Sequence, residues 1–111
     1  MIVRAWRGRA SRSNRDAYPK HFRDSVLPEL HRTEGFLGAV LLAREAANDV
    51  EYLVQTQWTS MDAIKGFAGD DVSRAVVEPA AVAALISFDS TVAHYELVDE
   101  AGPTPTTIAA Y

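Results

Sequence analysis

The chain reads as an α+β domain whose elements run β-α-β-β-α-β around one antiparallel sheet. Three observations predict it. A loosely alternating apolar stretch opens the chain, and a stripe of large apolar residues spaced by four follows it. Next come two β-rich runs separated by the short turn Ala47-Asn48-Asp49, a spacing that predicts a hairpin. A length of 111 residues leaves room for a single core.

Residues 2–10, with Ile2, Val3 and Trp6, are expected to form the first strand. Ser11 to Asn14 is a polar break, and Ser13 followed three residues later by Asp16 resembles a capping box. Tyr18, Phe22, Val26 and Leu30 place one apolar stripe on the helix that follows. Pro19 is acceptable in its early turns, whereas Pro28 removes a backbone donor and is expected to kink or restart the helix before Gly35 ends it. Residues 36–44 are almost continuously apolar, as in a strand covered on both faces, and residues 50–58 form its hairpin partner.

Ser60, with Asp62 and Ala63, opens a short helix carrying Ile64 and Phe67 and broken at Gly69. A second helical piece is expected across Val72 to Val77, and Pro79 can start another reaching about Leu85. Residues 87–98 alternate as one long final strand. The expected division is a folded domain over 1–98 and a tail over 99–111, with Gly102, Pro103 and Pro105. This is the split βαβ, or ferredoxin-like, arrangement. Its helices cover one face of the sheet. The other face still carries leucine, valine and aromatic residues, so a second copy of the chain is expected to cover it as a homodimer.

Composition narrows the function. An apolar share of 48% is that of a globular protein, and no apolar run approaches the ~18 residues that span a bilayer. The opening MIVRAWRGRA mixes arginines with apolar residues and does not read as a signal peptide. The absence of cysteine removes disulfides, thiolate metal sites and thiol nucleophiles, and fits a reducing cytoplasm. The net charge of −4 is uneven. Residues 1–32 hold eight bases and three acids, and residues 33–111 hold three bases and twelve acids. Arg4, Arg7, Arg9, Arg12 and Arg15 straddle a strand and a turn instead of forming one helical face, which with a pI near 5.2 argues against nucleic-acid binding.

Two segments carry a resemblance. Thr33-Glu34-Gly35-Phe36-Leu37-Gly38 and Gln57-Trp58-Thr59-Ser60-Met61-Asp62-Ala63-Ile64 resemble the turn entering strand two and the "W.S.eA" motif leaving strand three in the antibiotic-biosynthesis-monooxygenase family. Phe67-Ala68-Gly69-Asp70-Asp71 and Val92-Ala93-His94-Tyr95-Glu96 resemble the same group, so the similarity runs over about residues 1–98. It implies a dimeric α+β barrel with a cleft between each sheet and its own helices. One branch of the superfamily oxidises polyketide phenols with O₂ and no cofactor, another binds and degrades haem, and others are stress-induced proteins without known reactions.

The resemblance makes Trp58 the first candidate for a pocket that stacks on a planar substrate; a core indole is the structural alternative. By the period of two, Tyr52, Val54 and Thr56 share its face, and Ile64, Phe67 and Phe22 complete the expected pocket. The cofactor-free branch carries an asparagine where this chain has Val54, which cannot hydrogen-bond a developing oxyanion. His94 is the candidate general base, with hydrogen-bonded structure as the alternative. Arg7 is the candidate cation for an anionic substrate or an enolate, with the sheet surface as its alternative.

His21, His31 and His94 are too scattered to read as a metal site. For the haem-degrading branch, the strand-one asparagine falls at Arg7, the helix-two tryptophan at Phe67 and the histidine ligand at Val77, so iron would lack its axial ligand. The expectation is a monooxygenase of the antibiotic-biosynthesis type, using no metal or organic cofactor, on a small planar aromatic or polyketide-like molecule. A non-catalytic ligand-binding or stress-response protein of the same fold is the alternative.

Overall fold

A computed structural model describes residues 1–103. Five strands form one antiparallel sheet: β1 (Ile2–Ser11), β2 (Phe36–Glu45), β3 (Asp49–Trp58), β4 (Ser87–Phe88) and β5 (Ala93–Glu96). The order is β2-β3-β1-β4, with β5 also pairing β1, so the two halves of the last strand lie along one edge. This is the antiparallel ferredoxin-like sheet that the sequence order implied.

The long helix runs as α1 (Ala17–His21), a π-helical segment (Phe22–Val26) and α2 (Leu27–His31). Pro28 explains the wide turn. Its ring would clash with the carbonyl four residues back and it has no N–H to donate. The Leu27 N–H instead reaches the carbonyl of Phe22, five residues back, which accommodates the proline within a continuous helix. The proposed capping box is not formed. Residues Arg12–Asn14 are a 3₁₀ turn, Asp16 makes no side-chain cap bond, and Ser13 Oγ pairs with Ser11 Oγ at 3.3 Å.

Two motifs noted in the sequence meet in space. Gly35 has φ +88°, and a Cβ there would lie 2.4 Å from Ala63 Cβ and 2.7 Å from Thr59 Oγ1. Only glycine permits both that backbone and that approach. The Thr59 N–H donates to the Gly35 carbonyl at 2.9 Å. Ser60 Oγ accepts from Ala63 N–H at 3.1 Å and so caps α3 (Met61–Ala68). The two motifs therefore latch the entry of β2 to the exit of β3.

The second half departs from expectation in two linked places. Residues 72–77 are a turn at Val72–Ser73 followed by irregular chain instead of a helix, and residues 87–98 are two short strands instead of one. Between β4 and β5 the chain turns out to meet this segment: Arg74 bridges Thr91, the Ala75 N–H donates to the Ser90 carbonyl, and the Val92 N–H donates to the Ser73 carbonyl, both at 2.9 Å. The short helix α4 (Pro79–Ala84) follows, with Pro79 in its first turn. The tail expected from residue 99 lies mostly outside the described residues.

Helices pack on one face of the sheet. Val50, Tyr52, Val54, Thr56 and Trp58 alternate inward along β3 and are buried. On the outer face, Val40 and Leu42 remain 47% and 46% exposed, and Tyr95 is exposed on the same face at the opposite edge. No helix among the described residues is long and apolar enough to cross a membrane.

Candidate functional site

Between the inner face of the sheet and the helices lies a narrow, partly open cleft with about 50 Å³ of water-accessible space. Strand β1 contributes Arg4 and Trp6, and β3 contributes Val54 and Thr56. The long helix adds Tyr18, His21, Val26 and Leu30, and Phe67, Val76, Ala81 and Val92 close the walls. The lining is mainly apolar and aromatic. Its polar side chains are few: Arg4, Tyr18, His21 and Thr56.

Arg4 is 5% exposed. Its Nη1 donates to the Val72 carbonyl at 2.6 Å and its Nη2 to the Arg74 carbonyl at 2.8 Å. These two bonds help explain why 72–77 is not helical: a helix would engage such carbonyls internally. Nη1 also lies 3.1 Å from His94 Nε2. A guanidinium carries only donors, so this imidazole nitrogen must be the unprotonated acceptor. Burial, and then the charge of Arg4, lower the His94 pKa, consistent with a neutral ring.

Tyr18 stands against Trp6 and Tyr52, each with ring centroids 5.7 Å away. Its side chain is buried, yet its hydroxyl makes no protein hydrogen bond among the described residues. No fully buried side-chain oxygen or nitrogen among the described residues lacks a partner, so the hydroxyl keeps some exposure, on a side chain that lines the cleft. Burial raises its pKa strongly and Glu78 adds to the effect; the phenol stays protonated as a donor. His21 lines the same cleft, with Nε2 4.0 Å from Glu78 Oε1.

Of the residues singled out in the sequence, Thr56 and Phe67 line this space. Trp58 lies behind them, fully buried, with Leu30 and Ile64 in its cluster. The Trp58 indole N–H donates to Thr56 Oγ1 at 2.8 Å, and its ring lies 5.9 Å from Phe67 and 5.4 Å from Phe36. Tyr52 and Phe22 belong to the other core cluster, next to the lining residue Tyr18. His94 is held against Arg4 and is half-buried.

Arg7 faces the other way. The pleat puts Arg4 and Trp6 inward, so Arg7 projects from the outer face, where it lies 3.9 Å from Glu51. The sequence reading missed Arg4, Trp6, Tyr18 and His21 as cleft residues. An arginine at an inward position between Ile2 and Trp6 was the available signal.

At the position where the haem-degrading branch has its histidine ligand, this chain has no such ligand. Val76 lines the cleft and Val77 packs against the core, and neither has a lone pair for iron. The imidazole of His94 is engaged by Arg4. No group of three or more His, Cys, Asp or Glu among the described residues is placed to hold a metal ion.

Comparison with known proteins adds the family. No curated protein matches the chain. A Bacillus cereus protein assigned to the antibiotic biosynthesis monooxygenases superposes with TM-score 0.63 at 16% identity, over 91% of this chain and 96% of that one. The haem degrader MhuD from Mycobacterium tuberculosis, solved with two haems bound, gives TM-score 0.55 at 19% identity, over 92% and 100%. SnoaB, a cofactor-independent oxygenase from Streptomyces nogalater, gives TM-score 0.50 at 17% identity, over 93% and 98%. At such identities these likenesses speak for the fold alone. The sequence profile of the antibiotic biosynthesis monooxygenase family matches residues 1–79, and the chain belongs to that family.

Proposed function

We propose that the protein is a monooxygenase that takes a small planar aromatic or polyketide-like molecule into the sheet–helix cleft and needs no metal or organic cofactor. The observation that carries this reading is the cleft itself: a largely apolar slot with the Arg4, Tyr18 and His21 polar groups around it. Trp6, Tyr18 and Phe67 offer ring faces for a flat molecule, and Trp58 serves as the buried backing that fixes Thr56 and Phe67.

The chemistry uses the substrate as the reductant. A base removes the proton of a phenol, leaving an anion with carbanion character at a ring carbon. That carbon transfers electrons to O₂ and bonds it as a hydroperoxide. Loss of water leaves a quinone carbonyl, so one oxygen atom enters product and the other leaves as water. His21 takes the role of base in this scheme, because it is the imidazole that lines the cleft. His94, given that role by the sequence, instead positions Arg4.

A second reading, ligand binding without chemistry, draws on Val54. It lines the cleft where an oxyanion donor would sit. Oxygen uptake with a panel of polycyclic phenols and anthrones separates the two. The monooxygenase reading expects one O₂ consumed per quinone formed, unchanged by chelators. Ligand binding without any oxygen uptake would establish the second reading.

The assembly we propose is a homodimer. Val40, Leu42 and Tyr95 expose apolar surface on one sheet face, and Leu53 lies between Leu42 and Arg7 in the ladder. A second copy would bury this face.

A further inference from the structure

The cleft holds a charge that the protein does not neutralise. Arg4 is the buried cation of the inner face, and no carboxylate among the described residues lies within ion-pairing distance of it. A guanidinium remains protonated at any physiological pH. Burying it unpaired costs several kcal/mol by general estimates, and the fold meets only part of that through two carbonyls and a neutral imidazole. Of the five guanidinium N–H groups, two donate to carbonyls and one faces His94 Nε2. Two are left without an acceptor among the described residues, on a side chain that lines the cleft.

We infer that Arg4 is the specificity-determining residue of the cleft, and that its ligand is a planar aromatic carrying an oxyanion, either a carboxylate or an ionised phenol. This rests on the cleft being the ligand site proposed above. The arrangement around Arg4 is rigid. The Val72 and Arg74 carbonyls hold the guanidinium from one side and His94 from another, so its remaining donors are oriented before a ligand arrives. The Tyr18 hydroxyl, a protonated donor on a side chain that lines the same cleft, supplies a further hydrogen bond to an anion. The largely apolar lining lowers the local dielectric, which strengthens a charge-assisted bond. A neutral aromatic of the same shape would fill the slot and leave the guanidinium without its counter-charge.

Matched probes test this. 2-Naphthoate and 2-naphthamide have nearly the same shape and differ in charge, and 1-nitro-2-naphthol supplies an ionised phenol. Titration by tryptophan fluorescence of the wild-type protein should show naphthoate or the nitronaphtholate bound at least about tenfold more tightly than naphthamide, a difference of about 1.4 kcal/mol. Which of the two anions binds identifies the oxyanion. Arg4→Met should reduce the anion to the affinity of the amide while leaving amide binding within about threefold, which also reports that the cleft is folded. Arg4→Lys, which keeps the charge, should retain the preference and guards against a folding defect in the methionine variant. Equal binding of anion and amide by the wild type would overturn the inference while leaving the cleft a ligand site. A preference surviving in Arg4→Met would overturn it by placing the anion elsewhere. Binding of none of the three probes would remove the ligand site and the inference together.

Discussion

The two faces of the sheet handle arginine in opposite ways. On the outer face Glu51 is shared by Arg7, Arg9 and Arg44, at 3.9, 3.5 and 2.8 Å. The three guanidiniums are well exposed and the carboxylate side chain is only 12% exposed. On the inner face a single arginine is buried and has no carboxylate at all. In the single chain water screens the outer cluster, so its excess of positive charge is inexpensive there. Arg4, 5% exposed, is screened far less. A surplus of charge at the surface needs no explanation by function, whereas the same surplus in an apolar slot asks for a ligand.

The largest effect that tests this contrast lies behind the cleft. Trp58→Ala should lower unfolding stability by about 3–5 kcal/mol in urea titrations, because a fully buried indole and its bond to Thr56 are lost. Trp58→Phe should keep most of that stability. If it also leaves naphthoate affinity unchanged, the residue acts purely as backing. A Trp58→Ala loss below about 1 kcal/mol would show the inner face to be far looser than its burial implies.

An outer-face change should do the reverse. Leu42→Glu is expected to shift sedimentation equilibrium from dimer toward monomer while leaving cleft binding intact, because Leu42 projects away from it. A wild-type protein that stays monomeric at micromolar concentration would break the proposed use of this face. In a monomeric background Glu51→Gln should cost about 1 kcal/mol or less, since its partners are exposed in the single chain. An effect several times larger in the dimer-forming protein would mean that the cluster is buried in the assembly.

The smallest effect is a pH dependence. The native pKa of His94 lies below its unfolded value, through burial first and Arg4 second. The unfolded chain therefore binds more protons as pH falls through the ordinary histidine range near 6.5, and stability rises with pH across that window. His94→Gln should flatten that slope in thermal melts between about pH 5 and 7. An unaltered slope would assign it to other groups.

Much of the fold was legible because strong periodicities carry it. The period of two in residues 50–58 placed Tyr52, Val54, Thr56 and Trp58 on one face, and the period of four placed Tyr18, Phe22, Val26 and Leu30 on one helix stripe. The stretch 72–77 was misread because its conformation is set by Arg4, 68 residues distant from Val72, and local propensity is blind to that. The last strand was misread for the linked reason that its middle pairs with this segment. For the site, Thr56 and Phe67 followed from the motif, but the cleft wall from β1 did not. The first strand's loose alternation did not say which of Arg4 and Arg7 faces inward, and only pairing with β3 decides it. Tyr18 lay in plain view on the apolar stripe, where its ring reads as core and its hydroxyl goes unnoticed.

The outward turn between β4 and β5 also bears on how the chain avoids its own kind. A long strand at a sheet edge offers unpaired N–H and carbonyl groups as a template for aggregation. Here that edge consists of pieces of two and four residues. In the gap between them, the Val92 N–H and the Ser90 carbonyl are spent on Ser73 and Ala75 within the same molecule. An incoming strand would find no unbroken run along which to zip. The interruption that builds the cleft wall thus also blunts the edge, and an insertion or deletion that straightened residues 89–92 into continuous strand would raise the tendency to form β-aggregates.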